Sequence, residues 1–238
     1  MFNIFDTTTN FQEFTYCDLD RFLNQLSKKV SDYPKIQKVI RAHKKKLWSF
    51  GSFFEETMKT YTDDEISSRV NSQCFTKQFF YGKKQELGNY YLTWDVSKLR
   101  GLIQENEMIP NTLVVDNLIS EALGNDVNLN TIDVNRENNE PIIIAQHPVA
   151  NNIYNGIIID GNHRIARAYK KGNHQILAYV LPPFVHTKGM LLDLDVFLFK
   201  LAYNFDLISK FVDNMNTTSD ENFKKELYDI LFKVLYKI

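Results

Sequence analysis

The residues best placed to do chemistry in this chain stand in one run, Asp160-Gly161-Asn162-His163-Arg164, where two sequence patterns meet. Before it, Ile157-Ile158-Ile159 is a β-branched triplet suited to a strand buried on both faces. After it, Ile165, Ala168 and Tyr169 recur at helical spacing, with Arg164, Arg167 and Lys171 on another side, until Gly172-Asn173 supplies a left-handed stop. A strand that turns at a glycine into a helix leaves the first N–H groups of that helix without intrahelical acceptors, at the positive end of its dipole. Gly161 then lets a ligand oxygen approach the backbone, Asn162 can cap the helix, and His163 and Arg164 add side-chain donors. The pattern predicts a seat for phosphate. The competing reading makes Asp-Gly a turn, Asn162 a cap and the basic side chains a solvated helix face.

Other chemistries find no foothold. The chain has no Gly-x-x-x-x-Gly-Lys loop, no Gly-x-Gly-x-x-Gly, no Gly-x-Ser-x-Gly elbow and no His-Glu-x-x-His. Cys17 and Cys74 stand far apart, outside any ligand spacing, which argues against a disulfide framework or structural zinc and predicts a reducing compartment. Among the five histidines only His163 sits beside a glycine turn and an arginine; His174 follows the helix stop, and His147, before Pro148, is either a core or rim histidine or a neighbour of the same cleft. His43 and His186 carry no signal.

Positioning the turn requires a small sheet. Tyr90-Tyr91-Leu92-Thr93-Trp94 suits a strand, and Asp95 can cap a helix carrying Val96, Leu99, Leu102 and Ile103. Thr112–Val115 reads as extended chain, and the Asn- and Asp-rich stretch 124–139 as a surface loop. Pro141–Ala145 and Ile157–Ile159 should pair across Asn155-Gly156, and Gln175–Leu181, ended by Pro182-Pro183, should be a buried strand. A right-handed crossover from Ile157–Ile159 through the helix to that strand would set the turn at the C-terminal edge of the sheet, where α/β folds hold ligands.

Helices are expected on either side. Phe22, Leu23, Leu26 and Val30 form one stripe, opened by Asp18 and Asp20; after Pro34, Ile36, Val39 and Ile40 form another. The second segment is the most basic part of the chain. Its lysines precede Trp48, Phe50, Phe53 and Phe54, an order that favours a solvated face over a stacking platform. Thr62–Glu65 reads as a capping box ahead of Ile66–Val70, and Gly82-Lys83-Lys84 as a boundary turn. Leu191–Val212 reads as a buried helix or helix pair, and Thr218–Glu221 as a capping box before an amphipathic helix that runs to the end, packing on the N-terminal helices or, alternatively, on a second copy. The division expected is 1–85 helical, 86–185 sheet core and 186–238 helical. The fold class is α/β (α+β), a small mixed sheet with flanking helices. Near-neutral charge, −1 over 238 residues, gives no global pull toward nucleic acid. The N-terminus carries no leader pattern and no charge-free stretch has membrane-spanning length, so a soluble, cytoplasmic protein is expected.

Asp160-Gly161-Asn162-His163-Arg164, followed by Ala166, Ala168 and an apolar strand, resembles the signature of the ParB/sulfiredoxin superfamily, over about residues 88 to 185. Sulfiredoxin carries a cysteine between the glycine and the histidine, where this chain has Asn162, so sulfinic acid reduction is not implied. The chromosome-partitioning members bind CTP with a Gly-Glu-Arg-Arg-like turn and add a helix-turn-helix that is not evident here. The free-serine kinases carry Asp-Gly-His-His-Arg, which differs only at Asn162. The resemblance implies a ParB/sulfiredoxin-like core that holds nucleotide (ATP, ADP or CTP, with Mg²⁺) through Gly161, Asn162, His163 and Arg164, and a phosphotransferase acting on a small hydroxylated acceptor, or a nucleotide hydrolase. Asp160 would bind the metal or orient His163, with helix capping as its structural alternative, and Asp160 and His163 would be the catalytic pair. Glu105 and Glu107 are candidates for the missing general base. Two further readings are a regulator touching DNA through Lys28–Lys46, since related Asp-Gly-Gln-His-Arg proteins accompany DNA modification systems, and a nucleotide-gated interaction module without turnover.

Overall fold

A computed structural model describes residues 21–58, 73–80, 89–125, 127–136, 138–148, 150 and 154–237. The architecture is α/β, with a mixed four-stranded sheet preceded and followed by helices. The chain divides into two compact units, one of Ser72–Phe75 with Thr93–Leu191, the other of Met1–Asn71, Thr76–Leu92 and Leu192–Ile238. Asp18, Asp20, Cys17, the Thr62–Glu65 box, Ile66–Val70 and the boundary expected near 85, with its Gly82-Lys83-Lys84 turn, lie outside the described residues. The first unit runs to Leu191, past the limit expected at 185.

Strands β1 (Cys74–Phe80) and β2 (Asn89–Asp95) pair with each other, and β2 runs directly into helix α3 (Val96–Glu105). Asp95 caps that helix as its sequence implied, accepting the Lys98 N–H at 2.9 Å. Then come β3 (Asn111–Val114), the short helix α4 (Ile119–Gly124), β4 (Ile142–Gln146), β5 (Gly156–Asp160), α5 (Asn162–Lys170), β6 (Gln175–Leu181) and α6 (Pro183–His186). The second unit contains α1 (the described residues 21–29), α2 (Pro34–Met58), α7 (Asp193–Thr217) and α8 (Glu221–Val234). The run expected over Leu191–Val212 thus forms one long helix that starts at Asp193, not a pair. The cap of α8 is Asp220, whose carboxylate accepts from the Asn222 and Phe223 N–H groups, and not Thr218.

The sheet order is β3-β6-β4-β5. The expected hairpin forms, with β4 antiparallel to β5, but the crossover does not: β4 lies between β5 and β6 and is parallel to β6, so β5 and β6 run in opposite directions. The handedness rule for βαβ units governs parallel strands only and has no purchase here. The turn after Asp160 therefore sits at the end of the sheet where β4 begins, with Asp160 opposite Ile143. Ile143 pairs with Asp160 and Ile144 with Ile158, which leaves Ile159 as an extra residue, a β-bulge that re-aims the strand end beside the turn.

Packing explains why β4 and β5 are apolar on both faces, whereas β6, expected as a buried strand, buries only Ala178 and Leu181 and leaves Leu177 exposed. Ile142, Ile144, Ile158, Leu113 and Ala178 meet Ile165 and Ala168 of α5 and Leu118 and Ala122 near α4, while Ile143, Ile157, Ile159 and Leu181 point to the opposite face and are also buried. On the outer edge of β5 no further strand follows among the described residues; instead the Glu121 carboxylate of α4 accepts the Ile158 N–H at 3.1 Å.

In the second unit Leu23, Leu26 and Val30 of the first helical segment and Ile36, Ile40, His43 and Leu47 of α2 are buried at helical spacing. His43 Nδ1 donates to the Val39 carbonyl at 2.7 Å and its Nε2 accepts from Asn204 Nδ2 at 3.1 Å, a choice of tautomer fixed by the amide. Asn204 also brackets the backbone of Tyr236, accepting its N–H at 2.7 Å and donating to its carbonyl at 3.0 Å. The terminal helix packs through Leu231 and Tyr228, the latter against Tyr33 and Phe211, whereas Phe223, Ile230 and Val234 of the apolar stripe stay exposed.

Two buried histidines make the first unit sensitive to acid. His186 Nε2 donates to the Gln146 carbonyl at 2.8 Å and its Nδ1 accepts from the Trp94 indole at 3.4 Å, so only the neutral ring fits both partners. Burial pushes His186 from 6.5 down to about 4, and His147 is lowered as well, by burial first and by the charge of His186 second. With folded values below the unfolded one, this stability is complete above about pH 6.5 and drains as pH falls toward 4, by about 1.4 kcal/mol per pH unit for each ring. Urea unfolding at pH 7 and pH 5 should show the lower midpoint at pH 5. H186Q, which keeps a donor and an acceptor but does not titrate, should flatten that slope; an unchanged slope would remove His186 from the account.

Candidate functional site

At the turn itself the backbone is left-handed: Gly161 has φ +107° and ψ 13°. A Cβ there would be strained by that φ and would lie 2.7 Å from Cβ of Ile142, against whose Cγ2 it would also press. Gly161 is thus required by its conformation and by Ile142, which corrects the expectation that its bareness makes room for a ligand. It is also the helix N-cap, its carbonyl accepting from Arg164 N at 2.9 Å and Ile165 N at 3.0 Å. Asn162 is the first residue inside the helix and not its cap; its Oδ1 accepts from Asn125 Nδ2 at 3.1 Å. Since the first intrahelical donor is Arg164, the N–H groups of Asn162 and His163 precede the ladder.

The charged side chains are arranged differently from the sequence expectation. Arg164 is only 8% exposed, and its guanidinium donates from Nη2 to Asp160 Oδ2 at 2.8 Å and from Nη1 to the Glu140 and Pro141 carbonyls at 2.8 and 3.2 Å. It does not offer an open fork to a phosphate. The next basic residues of α5 do the same. Arg167, also buried, donates from Nε to the Asp133 carbonyl at 3.0 Å, and Lys170 Nζ donates to the Leu129 and Ile132 carbonyls at 3.0 and 3.2 Å. Positions 164, 167 and 170 thus form a ladder of cations along one side of the helix, holding the Asn- and Asp-rich loop. A loop without strand partners must satisfy its carbonyls somehow, and here a helix supplies the donors. The alternative of a solvated face holds for Lys171, which is exposed, and not for Arg164 or Arg167.

Two residues join the site that the motif did not name. Arg100 of α3 donates from Nη2 to the same Asp160 Oδ2 at 2.9 Å, a hydrogen bond that raises its already high pKa, and its side chain is 44% exposed. Glu140 places Oε2 at 3.6 Å from both Arg100 Nη2 and Arg164 Nη1, close enough for charge attraction but beyond hydrogen-bond range. The sequence carried no spacing signal for Arg100. For Glu140 the signal was weak, an acid one residue before the Pro141–Ile144 run.

His163 is exposed on the first turn of α5. Among the described residues no hydrogen bond joins it to Asp160, whose Oδ2 belongs to the two arginines. This arrangement also answers the metal role expected of Asp160: a carboxylate flanked by two guanidiniums is a poor cation ligand, and the described residues include no group of three His, Cys, Asp or Glu able to hold a metal ion. Asp160 is a positioning residue that ties α3 to α5. Glu105 and Glu107 are exposed at the far end of α3, Glu107 with φ +47°, and among the described residues neither bonds to the turn. His147 lies in the His186 cluster.

These contacts predict unequal effects for the two arginines. Arg164→Met should destabilise the chain by about 2 to 4 kcal/mol, because it strips buried carbonyls and a carboxylate of their donor. Arg100→Ala should cost under about 1 kcal/mol, since its ion pair is half in water. Chemical denaturation of the two variants checks the order; equal losses would mean that Arg164 is not the structural member of the pair.

Comparison of the chain with family models, with curated proteins and with solved structures gives no match. The chemistry of the turn has only its own atoms behind it.

Proposed function

We propose that this chain binds the phosphates of a nucleotide at the β5–α5 turn, as a ParB/sulfiredoxin-like phosphotransferase or nucleotide hydrolase. The N–H groups of Asn162 and His163 serve as backbone donors, and His163 and Arg100 as side-chain donors. The observation that carries the reading is the half-exposed guanidinium of Arg100, delivered by a separate helix to the mouth of a left-handed glycine turn that opens a helix with an exposed histidine. Glu140 supports it, because a carboxylate 3.6 Å from the arginines occupies the region where phosphate oxygens would form shorter, charge-assisted bonds. Likeness of the Asp-Gly-Asn-His-Arg run to the free-serine kinase turn supports ATP or ADP as the nucleotide, with CTP as the alternative. Magnesium would arrive on the phosphates and draw its remaining ligands from water, since Asp160 is ill suited to it. Phosphoryl transfer asks mainly for positioning and charge stabilisation, and Arg100 and His163 are the residues able to give both. Asp160 and Arg164 hold the frame. The acceptor is expected to be a small hydroxylated molecule.

Thermal shift with ATP, ADP and CTP tests binding, because a ligand that binds only the folded state raises the apparent melting temperature. At least one nucleotide should raise it, and R100A and H163A should each weaken binding about tenfold or more, as expected for the loss of a charged or polar hydrogen bond. Phosphate release and product formation with hydroxylated acceptors then separate turnover from a gated module. If both variants bind nucleotide as well as the parent chain, the seat is elsewhere.

A further inference from the structure

Helix α2 carries a second surface that the turn does not use. Between Asp32 and Glu55 the sequence contains Lys35, Lys38, Arg41, Lys44, Lys45 and Lys46 and not one acid, within a chain whose net charge is −1. Two of these six lean inward: Lys35 Nζ lies over the rings of Tyr228 and Phe232, and Lys44 Nζ donates to Asn24 at 2.6 Å. Lys38, Arg41 and Lys45 stand exposed at spacings of three and four, opposite the buried Ile36, Ile40, His43 and Leu47. No ion pair joins them to an acid among the described residues. The next residue of the same stripe, three beyond Lys45, is Trp48, 64% exposed, whereas Trp94 is fully buried. Linear order had set the aromatic residues after the lysines. Helical periodicity brings one of them into line with the cations.

We infer that the Lys38–Arg41–Lys45–Trp48 stripe of α2 binds single-stranded nucleic acid. Three cations repeated along about 10 Å of helix repel one another and gain from a polyanion laid along them. An exposed indole at the end of the row adds a stacking platform, which only an unpaired base can reach. A lipid surface fits less well. An interfacial helix needs an apolar face to immerse, and the apolar face of α2 is already packed within its own unit. The sugar is left open by this chemistry, so DNA and RNA are both within it.

Anisotropy of a labelled 20-nucleotide DNA strand and of its RNA equivalent, titrated with the full chain, reads the proposal. Binding should be measurable at 50 mM salt and weaken by about twentyfold at 200 mM, the slope expected for three neutralised phosphates on a single strand. K38E/R41E/K45E should lose binding by more than about fiftyfold. W48A should lose about fivefold to a hundredfold and W48F much less, as stacking predicts. K171Q, at an exposed cation of the other unit, should bind as the parent does. Melting temperatures check that each variant is folded, and K38Q/R41Q/K45Q replaces the charge reversal if that one is not. No binding at 50 mM salt, undiminished binding by the folded triple variant, or indifference to W48A would each overturn the assignment. So would stripe-dependent binding to phosphatidylserine vesicles without oligonucleotide binding, which would give the surface to lipid.

Discussion

One carboxylate oxygen, Asp160 Oδ2, joins three parts of the first unit. It ends β5, pairs with Arg164 from the helix that follows, and pairs with Arg100 from a helix sixty residues earlier in the chain. Because Arg164 is buried, that pairing is a condition of folding: an unpartnered guanidinium among the carbonyls of Glu140 and Pro141 would carry an uncompensated charge. Because Arg100 is half in water, its side of the pair is loose enough for a competing anion to draw on. The same oxygen thus has a structural partner and an exchangeable one.

This division of labour reorders the motif. In the sequence, the five residues from Asp160 to Arg164 look like a continuous set of ligand donors. In the structure they separate by depth. Gly161 is held by its left-handed backbone and by Ile142, Asp160 and Arg164 face each other across the turn, Asn162 is half-buried with its side chain bonded to Asn125, and His163 is the exposed member. The phosphate seat proposed above is therefore smaller than the motif and draws on a residue outside it, Arg100.

The elements were largely legible because their signals are local. β-branched runs gave β4, β5 and β6, Asp95 gave the start of α3, and the Asn155-Gly156 pair, with Asn155 at φ +47°, gave the hairpin. Strand order was not legible. Whether β6 lies beside β5 or beside β4 is decided by pairing energies between segments thirty residues apart, and no residue of β6 advertises its neighbour. The same blindness applies to the cations of α5. An arginine at helical spacing reads alike whether it faces water, a phosphate or a carbonyl, and the loop of residues 125–141 that receives Arg164, Arg167 and Lys170 has no periodicity of its own to announce that it needs donors.

The outer rim of β5 carries one more implication. A sheet that stops with bare amides invites a foreign strand to extend it, the route by which folded proteins stick together edge to edge. In this chain Glu121 takes the Ile158 amide with a charged oxygen, so an intruding strand must first evict an anion and then bury or expel its charge. A single charged side chain thus guards the open rim of the sheet against self-association.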